Sequence, residues 1–221
     1  LVREGQRTTG EEIGRGPGLV KEDPLAALAK KVGLSGEEVK AFVTLVLKLL
    51  SDDSLSYEEA VSLAGEEEAL EAMLAACELG LAVPSRPEAR CLEWDAAPLS
   101  PGSKIVVNRA AEVILRAVLN GRDVLEALSE LMAELGLSET KAREVAALAI
   151  ELAGREYVTG AEVTLACRSH GLSGLESQVI AILKAAGAIS PTLSTSWPSG
   201  DVRYRTCRAL MLLAGLSATK P

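Results

Sequence analysis

The feature that most constrains this chain is an internal repeat. Gly33-Leu34-Ser35 recurs as Gly136-Leu137-Ser138, and the same offset holds without a gap through Glu59 and Glu162. Within that window Phe42, Val43, Leu45, Val46 and Leu49 fall on Val145, Ala146, Leu148, Ala149 and Leu152. Leu55-Ser56 falls on Val158-Thr159, and after a slip of four residues Gly80 matches Gly187 and Pro84 matches Pro191. A chain that repeats its apolar pattern and its helix-start signals in order is expected to build the same unit twice.

The second copy is the clearer one. Residues 141–153 carry Ala142, Val145, Ala146, Leu148, Ala149 and Leu152, the spacing of a helix with one broad buried face. Tyr157-Val158 reads as extended. Thr159 followed by Glu162 is a capping box that starts a short helix over 160–169. A third helix is predicted over 174–186, stopped by Gly187. The period then changes to that of strands, at 188–190 and 202–207, around a polar loop over 191–201. A closing helix is predicted over 208–214. Three helices followed by a hairpin is the order of a winged helix-turn-helix domain.

In the first copy the same reading gives helices over 24–32, 36–50, 57–63 and 66–79, then a wing over 81–107 with strands at 89–94 and 104–107. Two more amphipathic helices, 108–119 and 123–135, join the copies without the Pro/Gly/Ser composition of a flexible linker. The expected fold is mainly α: a polar N-terminal arm (1–22), a winged helix-turn-helix domain (23–107), a helical connector (108–135) and a second winged helix-turn-helix domain (136–221). Hydrophobic residues make up 48% of the chain but aromatics only 3%, so the core must be built from Leu, Val and Ala.

Charge narrows the function. Residues 1–107 hold 11 Lys/Arg against 19 Asp/Glu, residues 108–139 hold 3 against 6, and residues 140–221 hold 9 against 6, giving the net −8. A DNA binder normally carries a basic face, because phosphate neutralisation supplies much of its affinity. The third helix of the first copy begins Glu66-Glu67-Glu68-Ala69-Leu70-Glu71, which is hostile to a phosphate backbone. Its counterpart offers Ser177, Gln178 and Lys184, of which Gln178 suits adenine and Lys184 phosphate. Downstream, Trp197, Arg203, Tyr204, Arg205 and Arg208 combine the residue types that dominate protein interfaces. By strand alternation Arg203 and Arg205 share one face and Tyr204 takes the other. Two readings of that strand stay open: Tyr204 on the core with solvated arginines, or a contact patch for an acidic protein or a phosphate backbone.

Other chemistry finds little purchase. There is one histidine, His170, and no CxxC pair among Cys77, Cys91, Cys167 and Cys207, so no metal or cofactor is expected. Pairing of Cys77 with Cys91 and of Cys167 with Cys207 is considered beside four buried free thiols. No glycine-rich phosphate loop, HExxH or nucleophile–base set occurs, so no enzymatic activity is expected. No apolar run spans a bilayer and no signal-peptide pattern is present, which points to a cytoplasmic protein without membrane contact. Scarcity of Asn, Gln and Met hints at a thermophile.

One family resemblance emerges. Leu148-Ala149-Ile150, Tyr157-Val158-Thr159-Gly160-Ala161-Glu162-Val163, Gly187-Ala188-Ile189, Val202-Arg203-Tyr204-Arg205-Thr206 and Leu212-Leu213-Ala214-Gly215-Leu216-Ser217 resemble the winged helix of the segregation and condensation protein B (ScpB) family. These are the kleisin-associated subunits of prokaryotic condensin. The family's Pro-Gly-Arg-Pro segment is replaced here by Trp197-Pro198-Ser199-Gly200-Asp201. The resemblance implies a homodimeric adaptor in chromosome condensation and segregation that binds a kleisin-like subunit and stays off DNA. The alternative is a DNA-binding winged-helix transcription regulator. Residues 36–50 are apolar nearly all round. Val43, Leu47 and Leu50 are therefore the expected dimer face, unless the connector covers them.

Overall fold

The order in which helices and strands follow one another is the same in both halves. In the computed structural model, which describes residues 23–85, 99–192 and 202–218, the protein is mainly α-helical with two small antiparallel sheets. The first half runs α1 (Pro24–Lys31), α2 (Gly36–Asp52), β1 (Ser54–Ser56), α3 (Tyr57–Ala64), α4 (Glu66–Glu78), β2 (Ala82–Ser85), β3 (Lys104–Val107) and α5 (Arg109–Leu119). The second runs α6 (Val124–Glu134), α7 (Glu139–Leu152), β4 (Tyr157–Thr159), α8 (Gly160–Ser169), α9 (Glu176–Ala186), β5 (Ile189–Pro191), β6 (Arg203–Thr206) and α10 (Ala209–Ala218). The helices expected to form a connector therefore close one unit and open the next: α5 corresponds to α10, and α6 to α1.

Local signals explain the correspondence. Asp23 and Asp123 cap α1 and α6, each accepting from a backbone N–H of the first turn. Ser56–Glu59 and Thr159–Glu162 form reciprocal capping boxes at α3 and α8. In both boxes the backbone and hydroxyl hydrogen bonds from the cap residue hold the glutamate below its ordinary pKa. Helices α4 and α9 end alike, Leu81 N–H donating to Ala76 O and Ala188 N–H to Leu183 O, with Gly80 and Gly187 at positive φ.

The sheets match in register. β3 lies between β1 and β2, with Leu55 opposite Ile105 and Pro84 opposite Ile105. β6 lies between β4 and β5, with Val158 and Pro191 both opposite Tyr204. Each proline sits on an edge strand, where its missing N–H costs no ladder bond. The strand expected at 89–94 lies outside the described residues. The described neighbour of β3 on that side is β2, which follows α4 directly.

Both halves share one core. Phe42, Leu45, Leu49 and Met73 of the first half and Val145, Leu148, Val179 and Leu183 of the second belong to a single cluster of buried side chains. The seam between them is reciprocal. Asn108, the residue after β3, donates from Nδ2 to Gly187 O at 2.8 Å, at the end of α9. Cys207, the residue after β6, donates from Sγ to Gly80 O at 3.3 Å, at the end of α4. Each also donates its backbone N–H within its own half, Asn108 to Leu81 O and Cys207 to Ala188 O. A contact in which each half offers the same position to the same position of the other is the signature of two-fold pairing. The packing of α5 against its counterpart α10 agrees with it.

Cys77, Cys167 and Cys207 are buried free thiols, and Cys91 lies outside the described residues. The pairing considered for Cys167 with Cys207 does not form, because the Cys207 thiol is turned across the seam. Nor is Cys77 in a disulfide.

Gly187 carries the seam's tightest demand. It has φ +78, and a Cβ built there meets the Asn108 amide. Replacing it with alanine is expected to cost about 2 kcal/mol, roughly 1 for the left-handed backbone and about 1 for the displaced hydrogen bond. By contrast a Cβ at Gly215, inside α10, meets nothing within 4 Å. Gly215→Ala is expected to be neutral or to stabilise by up to about 1 kcal/mol. Urea unfolding of both variants against the unmodified chain checks the pair.

Candidate interaction surfaces

Helices α4 and α9 occupy equivalent places but present unlike faces. On α4 the exposed stripe is Glu67, Glu71, Leu74 and Glu78, at helical spacing. The carboxylates of the first turn suit the positive end of the helix, and together they make the face acidic. On α9 the exposed positions are Ser177, Gln178, Ala181, Lys184 and Ala185, a small and almost uncharged surface with a single cation. Gln178 and Lys184 thus lie where the sequence puts them, on an open helix face.

The strand expected to present arginines behaves differently. Arg203 is exposed, and its guanidinium stacks over the Tyr157 ring at 4.0 Å, a cation–π contact across β4 and β6. Tyr204 is buried, so it serves the core and not a contact patch. Arg205 shares the face of Arg203, as alternation requires, yet is only 4% exposed. It donates from Nη2 to Glu78 O at 3.2 Å, at the end of α4. Burial pulls its pKa down, with the Glu78 carboxylate opposing. The expectation of a solvated Arg205 fails because the first half covers this part of the sheet, a contact that strand alternation cannot show.

Arg208 is also drawn to the seam. It reaches Glu78 Oε1 at 3.3 Å in a part-exposed ion pair. Ala209 N–H donates to Leu79 O beside it. Burial pushes the thiols of Cys77 and Cys207 up to about 12, so neither is a nucleophile near neutral pH. Trp197 lies outside the described residues. Of the candidate cations, Lys184 and Arg203 are exposed, without Arg205 to join them.

The proposed dimer face is smaller than the sequence implies. Leu50 is 5% exposed and sits beside α5, where Arg116 donates to Leu50 O at 2.6 Å. It is covered within the chain and is withdrawn as an interface residue. Val43 is half-buried, while Leu47, one turn along, is 46% exposed.

A further surface carried no motif that could have announced it. Helices α6 and α7 enclose an open groove of about 990 Å³, with His170 at its margin bonded to Glu151 Oε2 at 2.7 Å. Its only sequence signal is a run of small residues facing it, Ser129 and Ala133 on α6 and Ala147 on α7. Among the described residues no group of three or more His, Cys, Asp or Glu side chains is placed to hold a metal ion. No helix of the described residues is long and apolar enough to cross a membrane.

Truncating the two neighbouring arginines separates seam from surface. Arg205→Ala removes a buried, charge-assisted hydrogen bond and is expected to destabilise the fold by about 2–3 kcal/mol. Arg203→Ala loses an exposed cation–π contact worth about 0.5–1 kcal/mol. Denaturant midpoints of the two variants report the difference.

The chain belongs to a protein family whose model matches residues 28–205, from α1 to the last strand, and whose description names no activity. No curated protein and no solved structure matches it significantly.

Proposed function

We propose that this family member is a non-enzymatic tandem winged-helix adaptor that binds a kleisin-like protein partner in chromosome condensation and segregation. The helix–strand–helix–helix–strand–strand order of each half supports the winged-helix reading, with β2–β3 and β5–β6 as the wings. The ScpB resemblance supplies the partner class. One observation carries the choice of protein over DNA: Arg205, which would have joined Lys184 and Arg203 into a positive face, is buried in the seam. What remains around α9 is small and nearly neutral, and α4 is acidic, so neither third helix offers the basic surface a duplex requires.

The second reading, a DNA-binding regulator, keeps one observation in its favour. Gln178, Lys184 and Arg203 are exposed within residues 140–221, the one stretch with a positive charge balance. For the adaptor, we assign the dimer contact to Val43 and Leu47 of α2, an apolar pair at i and i+4.

Both readings meet in one set of measurements. In about 150 mM salt the unmodified protein is expected to form a stoichiometric complex with the kleisin-like subunit of its own cell, resolved by size exclusion with light scattering. Gln178→Glu with Lys184→Glu is expected to weaken that complex at least about tenfold, and duplex DNA to bind only weakly and without sequence preference. The same instrument reads the free protein as a dimer, and Val43→Glu with Leu47→Glu as a folded monomer. Tight, sequence-dependent duplex binding whose salt slope falls by about one in Lys184→Ala, with no kleisin complex, would establish the regulator instead.

A further inference from the structure

We infer that the α6–α7 groove is a docking site for a lysine- and arginine-rich amphipathic helix of a protein partner. No α9 residue lines it, so the inference stands apart from the α9 surface assigned above. The groove exists because the side chains between the two helices are short. Ser129 and Ala133 lie one turn apart on α6, opposite Thr140 and Ala147 of α7, and Leu125 gives the floor its largest apolar contact. About 990 Å³ is left open, with more apolar than polar surface facing it. The 11 residues of α6 make the trough about 16 Å long, three helical turns.

The lining decides the conformation of the occupant. Apart from Asp123 and His170, which cap the ends of α6 and α8, every lining residue belongs to α6 or α7. Their backbone N–H and C=O groups are largely committed to helical hydrogen bonds, so an extended peptide finds no edge to pair with. A helix satisfies its own backbone and needs only side-chain contact, laying an apolar stripe between two helices.

The rim decides the charge. Glu126 and Glu130 stand on the α6 side with Asp123 at its start, and Glu139 and Glu144 on the α7 side. Arg143 is the one Lys or Arg in the lining. Arg122 and Lys141 reach Glu130 and Glu144 at 2.7 and 3.1 Å. These pairs are exposed or part-exposed and weak enough for a partner's cations to replace. An apolar floor between carboxylate rims is the complement of a helix with leucine-like residues on one face and lysine or arginine beside them.

The probe is a fluorescein-labelled 14-residue peptide of leucine and lysine, with leucines at i, i+3, i+4 and i+7 spacing, titrated with the full chain by fluorescence anisotropy. Saturable one-to-one binding is expected, and the equivalent leucine–glutamate peptide is expected not to bind. Ser129→Trp, which fills the trough, and Glu126→Lys with Glu139→Lys, which reverses the rim, are each expected to weaken binding at least tenfold. Glu67→Lys with Glu71→Lys makes the same change of charge on α4 and is expected to alter affinity less than twofold. Circular dichroism confirms the fold of each variant, and the two rim carboxylates are exposed enough to change without disturbing the core. Absence of saturable binding, or equal weakening by the α4 and rim reversals, would overturn the assignment and leave only general attraction to an acidic protein.

Discussion

The reciprocal seam is the constraint on which the rest of this structure depends. Asn108 reaches the end of α9 and Cys207 the end of α4, so the residue that follows each central strand is anchored to the other half. Two units of this size, each with a three-stranded sheet of short strands, bury limited apolar area alone. Joined through α5 and α10, they share one hydrophobic cluster. The seam also sets which residues remain on the surface, and so reaches from packing into function.

Its clearest consequence is electrostatic. The position of Arg205 in β6 corresponds to Val106 in β3, since each pairs with the outer residue of its neighbouring strand. Val106 stays 36% exposed while Arg205 is buried against the end of α4. Pseudo-symmetry of backbone is thus broken in side chain, and residues 140–221, where Lys and Arg outnumber Asp and Glu, lose an arginine from their outer face. A protein whose outward third helices are acidic in one half and almost neutral in the other is poorly suited to follow a phosphate backbone.

Much of the fold was legible because its signals are local. Gly33 and Gly136, the Ser56 and Thr159 capping boxes and the apolar spacing of α2 and α7 are each written within a few residues. β1 was harder, since three residues are too few to show a period of two, and β4 showed only as the extended pair Tyr157-Val158. The correspondence of α6 with α1 was hidden because α6 is longer than α1. The repeat signal therefore breaks before Gly136, and Asp123 was not matched to Asp23. The surfaces were less legible. Alternation put Arg203 and Arg205 on one face correctly, but only contacts between residues more than a hundred positions apart decide that Arg205 is covered. Leu50 is likewise buried within the chain, with Arg116 of α5 donating to its carbonyl, a contact between residues 66 positions apart. The groove left no trace beyond short side chains at Ser129, Ala133 and Ala147, whose meaning depends on two helices lying side by side.

Native-state hydrogen exchange tests most directly whether the seam makes the two halves one cooperative unit. The slowest amides of α4 and α9, together with the amides at the seam, that of Ala209, which donates across it, and that of Asn108, which lies beside it, should exchange with one common opening free energy that falls with denaturant along a single slope. Two separate plateaus, one for each half, with the seam amides exchanging faster than either, would contradict the account and make the halves independent domains that merely touch.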